Sequence, residues 1–401
     1  MKIIAKMFRG GSRESAPGTS RIELCSFLNC FPFQILVGNR RCRLKVPVGD
    51  VLGYSRPNSK GQKRGPVTTE FFSKQTTRRE LLRTGGALAG ASVLAGLMPA
   101  NLLSQPIARP GNLQQVTSSA DRIAQMKAQM SAVPLVTTKL RDNIYLLSGP
   151  GGNMVVLSGA DGKVLVDSSF STVAPKIKQA MDGFGGAPLK ILINTHWHFD
   201  HTDGNEAMHQ AGALIVAHEN TRKRLSTPQD IAAFGLHFDP SPADAWPQQT
   251  FTEGTKLYLN GEQLTLAYFP PAHTDSDIYV RYENGNVLHM GDVWFNGTYP
   301  VIDFSTGGNI AGMIAGTARG VALADADTKI VPGHGPVGDK PTLAAHHEML
   351  VTVRDRVQAL KAAGKSKEEA VAAKPTADLD SKWGNGMIKG DMFTMLVYST
   401  L

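Results

Sequence analysis

The chain has 401 residues, of which 42% are hydrophobic, so it is long and apolar enough for one large or two average domains. Its formal net charge of +8 is unevenly distributed: residues 1–108 hold 17 of the 42 Lys and Arg but only 5 of the 34 Asp and Glu, and the remainder holds 25 basic and 29 acidic residues. Because the larger part is mildly acidic, the composition argues against a nucleic-acid partner.

An arginine pair marks the basic N-terminal part. Arg78 and Arg79 precede residues 84–97, an uncharged run rich in Gly and Ala. This arrangement resembles a bacterial twin-arginine export signal, which predicts a signal segment at 77–108 and a periplasmic or secreted protein. The alternative is a membrane-spanning helix, but the run is short of the roughly 20 strongly apolar residues that a span needs. We therefore expect no stable membrane anchor.

Residues 1–76 precede the predicted signal, although such signals normally stand at the start of a chain. We interpret these residues as an N-terminal extension, which an alternative start at Val67 would remove. Cys25, Cys30 and Cys42 all lie in this segment. The predicted mature protein then has no thiolate to serve as a metal ligand or nucleophile.

The remaining pattern predicts an α/β fold. A short amphipathic helix is expected at 118–130, within a connecting segment at 109–137, and one domain with C-terminal helices is expected at 138–401. Strands and helices alternate within that domain, which is typical of layers with helices outside. Strands are predicted at 143–147, 154–157, 164–166, 189–194, 213–217, 264–269, 278–282, 287–292 and 329–331; helices at 172–181, 203–210, 310–324 and 343–363.

A dense cluster of potential metal ligands follows the predicted strand 189–194. His196, His198, Asp200 and His201 fall within six residues. In extended backbone, side chains two positions apart point to the same side, so the first two histidines can bind one ion. The other two ligands stand where the next helix would begin, facing a second position. The sequence therefore predicts a metal site at this strand end.

Three downstream segments complete a family pattern: Pro-Ala-His-Thr with His273, His-Met-Gly-Asp with Asp292, and Pro-Gly-His-Gly with His334. Together with the run His-Trp-His-Phe-Asp-His, they resemble the metallo-β-lactamase superfamily over roughly residues 138–350. The resemblance implies an αβ/βα four-layer sandwich with a binuclear metal site at one edge. It assigns His196, His198 and His273 to the first ion, and Asp200, His201 and His334 to the second, with Asp292 bridging.

The resemblance also implies the cofactor and the reaction. Imidazole and carboxylate ligands suit two Zn²⁺ ions, and would accept Fe or Mn. A metal-bound hydroxide would attack the carbonyl carbon of a small-molecule β-lactam, lactone or thioester, with Asp200 and Asp292 as catalytic residues. Asp292 stands about where the most similar β-lactamases use Cys, so the pattern is closer to the thioester, lactone and phosphodiester hydrolases of the superfamily.

Two other functions fit the same residues. One is a mononuclear iron oxidoreductase similar to a sulfur dioxygenase; the full set of seven ligands argues against it. The other is a metal-binding protein without catalysis. Metal content would separate them: two zinc ions per chain favour hydrolysis and one iron favours oxidation.

Further side chains are predicted around the site. Asn296 and Tyr299 follow the segment of Asp292 and could polarise a substrate carbonyl, while Trp246 and Phe234 are predicted apolar contacts in a pocket wall. Thr202 and Asp203 are candidates for supporting the ligands by hydrogen bonds. His346 and His347 are predicted to be solvated on the long C-terminal helix.

Overall fold

The computed structural model describes residues 36–37, 40–41 and 118–401. The chain divides into two compact units, Met1–Gln75 and Thr76–Leu401. In the first, strands β1 (Leu36–Val37) and β2 (Arg40–Arg41) pair antiparallel. The predicted signal segment, the predicted extension apart from these strands, and the three cysteines lie outside the described residues. The predicted domain boundaries stay predictions.

The second unit contains two large sheets and ten helices among its described residues. The strands are β3 (Val136–Arg141), β4 (Ile144–Ser148), β5 (Met154–Leu157), β6 (Lys163–Val166), β7 (Leu189–Ile193), β8 (Leu214–His218), β9 (Gln229–Ile231), β10 (Leu236–Phe238), β11 (Gln249–Phe251), β12 (Gly254–Leu259), β13 (Glu262–Tyr268), β14 (Ile278–Tyr282), β15 (Val287–His289) and β16 (Lys329–Val331). The helices are α1 (Ser119–Ala132), α2 (Ala174–Asp182), α3 (Phe199–Thr202), α4 (Asn205–Gln210), α5 (Glu219–Leu225), α6 (Ile310–Leu323), α7 (Lys340–Ala362), α8 (Lys367–Ala372), α9 (Asp380–Trp383) and α10 (Gly390–Ser399). In the part of the chain that is described, no helix has the length and apolar character to cross a membrane.

The strands form one seven-stranded and one five-stranded sheet, beside a small β9–β10 pair. The first has the order β11-β8-β7-β6-β5-β4-β3, antiparallel from β3 to β6 and parallel from β6 to β11. The second has the order β12-β13-β14-β15-β16, antiparallel except for the parallel pair β15–β16. The parallel strands of both sheets lie next to the metal-ligand segments described below.

The two sheets pack face to face over an apolar core. Alternation along the strands divides the side chains between this core and the outer layers: Val164 and Val166 of β6 face the core, whereas Leu165 faces the helices. The outer face of the seven-stranded sheet is covered by α1, α2 and α4, and that of the five-stranded sheet by α6, α7 and α10. The predicted αβ/βα four-layer sandwich is confirmed.

The differences from the predicted elements are concentrated in edge strands and in helix α7. Strands β3, β9, β10, β11 and β12 and helix α5 were not predicted. The predicted helix at 203–210 corresponds to α4, and the single turn α3 lies before it. The expectation that His346 is solvated is wrong, because it lies on the buried stripe of α7 with its ring 5.5 Å from that of Trp383. His347 is partly buried and pairs with Thr317 Oγ1 at 3.0 Å.

Candidate metal centre

The ligand cluster stands where the buried strand β7 leaves the sheet. After Ile193 the chain passes over the sheet edge, and α3 begins at Phe199 with His198 as its N-terminal flanking residue. His196 and His198 therefore precede the helix, whereas Asp200 and His201 belong to its single turn. The local change from strand to helix turns the two pairs toward different parts of one centre.

The first group joins His196 and His198 to His273, which lies between β13 and β14 of the other sheet. His273 Nε2 is 2.8 Å from His198 Nδ1. All three side chains are buried, and each offers one ring nitrogen within 4.8 Å of the others. This is a three-histidine set of the kind that binds transition metals.

The second group joins Asp200 and His201 to His334, which follows β16. His334 Nε2 is 3.2 Å from Asp200 Oδ2 and 3.4 Å from His201 Nε2. His201 is fully buried, whereas Asp200 and His334 are about one-fifth exposed. The second group therefore faces the surrounding cavity, and the first lies deeper.

Asp292, in the turn after β15, stands between the two groups. Its Oδ1 is 3.1 Å from His201 Nε2. Its Oδ2 is 3.3 Å from His334 Nε2, 3.5 Å from His273 Nε2 and 4.0 Å from His196 Nε2. One carboxylate thus approaches nitrogens of both groups, which is the position that a bridging ligand needs.

The donor set fits bound cations. Ring nitrogens of His198 and His273, and of His201 and His334, point at each other, and such pairs need a proton or a cation between them. His196 Nε2 is buried and has no hydrogen-bond partner among the described residues. Since buried polar atoms are normally paired, this nitrogen indicates a missing partner of the kind a metal ion would supply.

A second layer of contacts fixes the rings. His201 Nδ1 is 2.7 Å from Asp167 Oδ2, and His198 Nε2 is 3.1 Å from Asp303 Oδ2. His273 Nδ1 lies 2.8 Å from the carbonyl oxygen of Val301. Such contacts select which nitrogen faces the centre and strengthen it as a ligand. As a result, His198 presents Nδ1, while His201 and His273 present Nε2.

Sequence reasoning missed both of these aspartates. Asp167 directly follows β6, the strand beside β7, so its place at a strand end next to the cluster was a signal that could have found it. It has a positive φ of 62°, which Asp tolerates better than most residues, and also accepts hydrogen bonds from the backbone and hydroxyl of Thr195. Asp303 has no comparable signal, because it lies in an irregular segment and does not follow the end of a strand.

Two glycines allow the backbone to approach the ligands closely. A Cβ atom on Gly152 would lie 2.1 Å from His201 Cε1, and one on Gly333 would lie 1.8 Å from Asp292 Oδ1. Neither neighbour can move without displacing a ligand. These positions therefore require glycine.

Two pairs of histidines, His196 with His273 and His201 with His334, have opposite shifts in pKa. Burial lowers the pKa of His196 and His273, to about 4 in His273, and neighbouring histidines act in the same direction. Burial also lowers the pKa of His201 and His334, but the Asp292 and Asp200 carboxylates outweigh it. They raise the pKa of His334 to about 9 and hold that of His201 well above its usual value. His196 and His273 are therefore neutral at pH 7, ready to bind a cation.

The two carboxylates stay ionised near neutral pH. Burial alone would raise the pKa of Asp200 and Asp292, but His201 and His334 more than offset it. The pKa of Asp200 falls to about 2, and that of Asp292 lies well below its usual range. Both residues are thus available as anionic ligands.

A cavity of about 560 Å³ opens above the centre. Asp200, Asp292, His198, His273 and His334 form its floor. Its walls are mostly apolar and come from α1, the β9–β10 segment, the turn after β15 and residues 386–388. A volume of this size suits a small molecule.

The predicted substrate contacts have different outcomes. Phe234, Asn296 and Tyr299 line the cavity, but the Tyr299 hydroxyl donates to Asp380 Oδ1 at 2.9 Å and the Asn296 amide donates to the carbonyl of Pro336 at 2.8 Å. The prediction that Trp246 forms part of the pocket wall is wrong. Trp246 does not line the cavity, because its indole N–H donates to the carbonyl of Ser241 and so holds the ring in its own loop.

The two predicted supporting residues act away from the ligand atoms. The Thr202 hydroxyl donates to the carbonyls of Trp197 and His198, which stabilises the ligand loop. Asp203 pairs with Lys127 and accepts from the backbone of Ser171, so it links α3 to α1.

Comparison with known proteins gives one family match in the central part of the chain. Residues 147–334 match the family model of the Metallo-beta-lactamase superfamily. This is the family that the sequence motifs resemble. The predicted ligands from His196 to His334 all lie within the matched region.

Three curated relatives match part of the chain at low identity. The first, described as a probable metallo-hydrolase of Methanocaldococcus jannaschii, is 26% identical over 44% of this chain and 84% of its own length. The alpha subunit of 2,4-dinitroanisole O-demethylase of Nocardioides sp. is 24% identical over 42% of this chain and 50% of its own length. Hydroxyacylglutathione hydrolase of Methylobacillus flagellatus is 25% identical over 45% of this chain and 63% of its own length.

Solved structures with a similar arrangement include two metallo-beta-lactamases. The one from Pontibacter korlensis has a TM-score of 0.44 and 22% identity, covering 54% of this chain and 99% of the other. The DIM-1 metallo-beta-lactamase has a TM-score of 0.42 and 19% identity, covering 55% of this chain and 99% of the other.

Proposed function

We propose that the protein is a binuclear zinc hydrolase that cleaves a carbonyl compound of the lactone, thioester or β-lactam class. The observation that carries this proposal is the position of Asp292, whose carboxylate approaches both ligand groups. One ion would be held by His196, His198 and His273, and the other by Asp200, His201 and His334, with Asp292 between them. The absence of Cys from residues 118–401 leaves nitrogen and oxygen donors, a set that suits zinc and also accepts iron or manganese.

When bound, the ions would polarise the substrate carbonyl and lower the pKa of a water molecule to about 7, so that hydroxide is available at neutral pH. Residues of the chain orient the attacking water molecule. Asp200 is about one-fifth exposed on the cavity floor, so its carboxylate can accept a hydrogen bond from the attacking water and direct its oxygen toward the carbonyl carbon. The apolar walls exclude other water from the reacting atoms.

The test combines metal analysis with a hydrolysis screen. Purified protein loaded with zinc is expected to hold two ions per chain and to hydrolyse at least one member of a panel of β-lactams, lactones and thioesters. Asp292→Ala is expected to hold at most one tightly bound ion and to lose about 100-fold or more in kcat/KM, because both groups lose a ligand. Asp355→Ala, on the exposed side of α7, is the matched control and should behave like the parent.

Two results would contradict this proposal. Unchanged turnover of Asp292→Ala would refute the assignment of the site. A preparation that binds one iron per chain and consumes oxygen would favour the mononuclear iron oxidoreductase instead.

We also propose that the twin-arginine segment exports the protein to the periplasm. The support is the pair Arg78-Arg79 before the uncharged run 84–97. Replacing both arginines by lysine keeps the charge but removes the pair, so the protein is expected to accumulate in the cytoplasm of a bacterial host. Fractionation of the expressing cells measures this. Equal periplasmic amounts of parent and double variant would rule out the proposed route.

A further inference from the structure

The walls of the cavity above the centre are mostly apolar. Met126 from α1, Phe234 beside β10, Phe295 after β15, Val301 and Ile388 all line it. Apolar side chains at a cavity surface gain free energy when a ligand removes them from water. A ligand that fills this space therefore gains most from hydrocarbon.

Charged groups are scarce in the same cavity. Among its lining residues, Arg122 is the one Lys or Arg, and Asp200 and Asp292 are the only carboxylates, both belonging to the metal centre. The two terminal nitrogens of the Arg122 guanidinium donate to the backbone carbonyls of Phe234 and Gly235, and its Nε is buried without a hydrogen-bond partner among the described residues. Arg122 thus holds α1 against the turn before β10, so the one Lys or Arg of the cavity walls is bound to the protein backbone.

The walls also come from parts of the chain outside the matched family region. Helix α1 ends at Ala132, before residue 147, and Met387 and Ile388 lie beyond residue 334. Both segments contribute apolar side chains to the cavity, while the floor consists of ligands from within the matched region. Part of the wall, but none of the ligand floor, therefore comes from segments outside the matched region.

We propose that the substrate is an uncharged ester, lactone or thioester that carries an apolar acyl group, and that α1 and Met387–Ile388 bind this group. The inference rests on the proposed hydrolytic function for its chemical step. In that step, water oxygen forms a bond to the acyl carbon while the bond from that carbon to the leaving oxygen or sulfur breaks. One proton of the water ends on the leaving group, giving an acid and an alcohol or thiol.

The first experiment varies chain length and charge on the zinc-loaded protein. Among 4-nitrophenyl esters from acetate to hexanoate, kcat/KM is expected to rise about threefold for each added methylene. S-hexanoyl N-acetylcysteamine and S-hexanoyl glutathione share the acyl group and the thioester but differ in charge. The neutral thioester is expected to be at least about tenfold better, since the charged one must place its carboxylates against apolar walls. Equal values along the ester series, or a preference for the glutathione thioester, would overturn the proposal.

Variants of the wall test its location. Met387→Ala is expected to lower the ratio of hexanoate to acetate kcat/KM by about fivefold, because it removes part of the surface that contacts the acyl chain. Met395→Ala, a half-buried methionine on α10 that does not line the cavity, is the matched control. An equal ratio in both variants and the parent would show that the acyl group binds elsewhere.

A binding measurement separates this inference from the proposed reaction. 2-Octanone cannot be hydrolysed, and calorimetry on the full-length protein is expected to show binding at least about 30-fold tighter than for 2-butanone. If the longer ketone binds more tightly and no ester or thioester is hydrolysed, the apolar site stands and the hydrolytic function fails. If the esters are hydrolysed but the two ketones bind equally, the hydrolytic function stands and the apolar site fails.

Discussion

Asp303 determines how one ligand of the centre is presented. It accepts from Thr306 Oγ1 at 2.6 Å and faces His198 Nε2 at 3.1 Å, which leaves His198 Nδ1 for the centre. Burial opposes ionisation of Asp303, but the contact with His198 outweighs it and lowers the carboxyl pKa. Asp303 is therefore a buried anion whose charge depends on this histidine.

Asp303→Asn is expected to weaken binding at the first ion by about 10- to 100-fold, because an amide can neither carry the charge nor fix the same ring tautomer as firmly. Competition with a zinc chelator measures the loss. Asp378→Asn is the control, since Asp378 pairs with Arg356 of α7 and neither residue is a ligand. Equal affinity in Asp303→Asn and the parent would contradict a positioning role.

His346 is a buried histidine outside the centre. Both its ring nitrogens are buried without a hydrogen-bond partner in the described part of the chain. Burial, with a smaller effect of His347, lowers its pKa to about 3. The unfolded chain would bind a proton near pH 6.5 that the folded chain does not, so stability is fully present above about pH 6.5 and is lost as the pH falls toward 3.

His346→Leu should therefore lose less stability on acidification than the parent. Between pH 7.5 and pH 5 the difference is expected to reach about 2 kcal/mol in the free energy of unfolding. Urea denaturation of metal-free samples measures it, because the other titrating groups are common to both proteins. His237→Gln, at a half-exposed position, is the control. Parallel losses in His346→Leu and the parent would exclude the effect.

At the level of elements, helix α1 has a larger role than its sequence suggested. It was predicted as a short helix in a connecting segment, but it packs Met126 and Met130 against the domain and lines the cavity. Ser118 caps it: its hydroxyl accepts from the backbone N–H of Asp121, and the Asp121 carboxylate accepts from the backbone of Ser118. The pattern of Ile123, Met126 and Met130 predicts a helix but does not say what it covers.

Removing this cap should loosen α1 locally. Ser118→Ala is expected to destabilise the helix by about 1 kcal/mol, because one N-terminal backbone donor loses its acceptor. Hydrogen exchange of the α1 amides is the measurement, and faster exchange is expected there than in α6. Ser131→Ala is the control on the same helix, since its hydroxyl only donates to the carbonyl of Ala128. Unchanged exchange in Ser118→Ala would mean that tertiary contacts alone hold the helix.

Edge strands are where the predicted elements fail most. Strand β12 alternates between exposed and half-buried residues, and four of the six residues of β3 are exposed. Central strands such as β5 and β6 are buried throughout and are visible as apolar runs. An edge strand lacks that signal, because it gains its place by pairing with a neighbour far along the chain. Helical periodicity also places His346 on the same side of α7 as Leu343, Leu350 and Val353. This pattern should have indicated that His346 is buried.

At the scale of the whole molecule, the centre joins two sheets. His196 to His201 follow a strand of the seven-stranded sheet, whereas His273, Asp292 and His334 follow strands of the five-stranded sheet. Short motifs with defined residue types predicted these ligands, because each carries its chemistry locally. Asp303 escaped prediction because its role depends only on where the chain brings it in three dimensions.

Metal removal should consequently destabilise the whole domain. A metal ion that binds only the folded state stabilises that state. The gain in the free energy of unfolding grows with the logarithm of the free ion concentration. Chelation is expected to lower the Tm of the parent by several degrees and to lower that of Asp292→Ala much less. Differential scanning calorimetry with and without chelator measures the shift. A parent Tm that ignores the chelator would show that no ion joins the sheets.

Part of the cavity wall comes from two segments outside the matched family region, and this has a consequence for how such a protein can change over generations. The metal ligands tolerate almost no substitution, since each contacts several others within about 4 Å. Met126 and Met387, by contrast, lie on segments that hold no ligand, and methionine positions accept other apolar side chains at low energetic cost. Selection could therefore alter which molecules are accepted through point changes in the two flanking segments, while the inherited reaction is left intact.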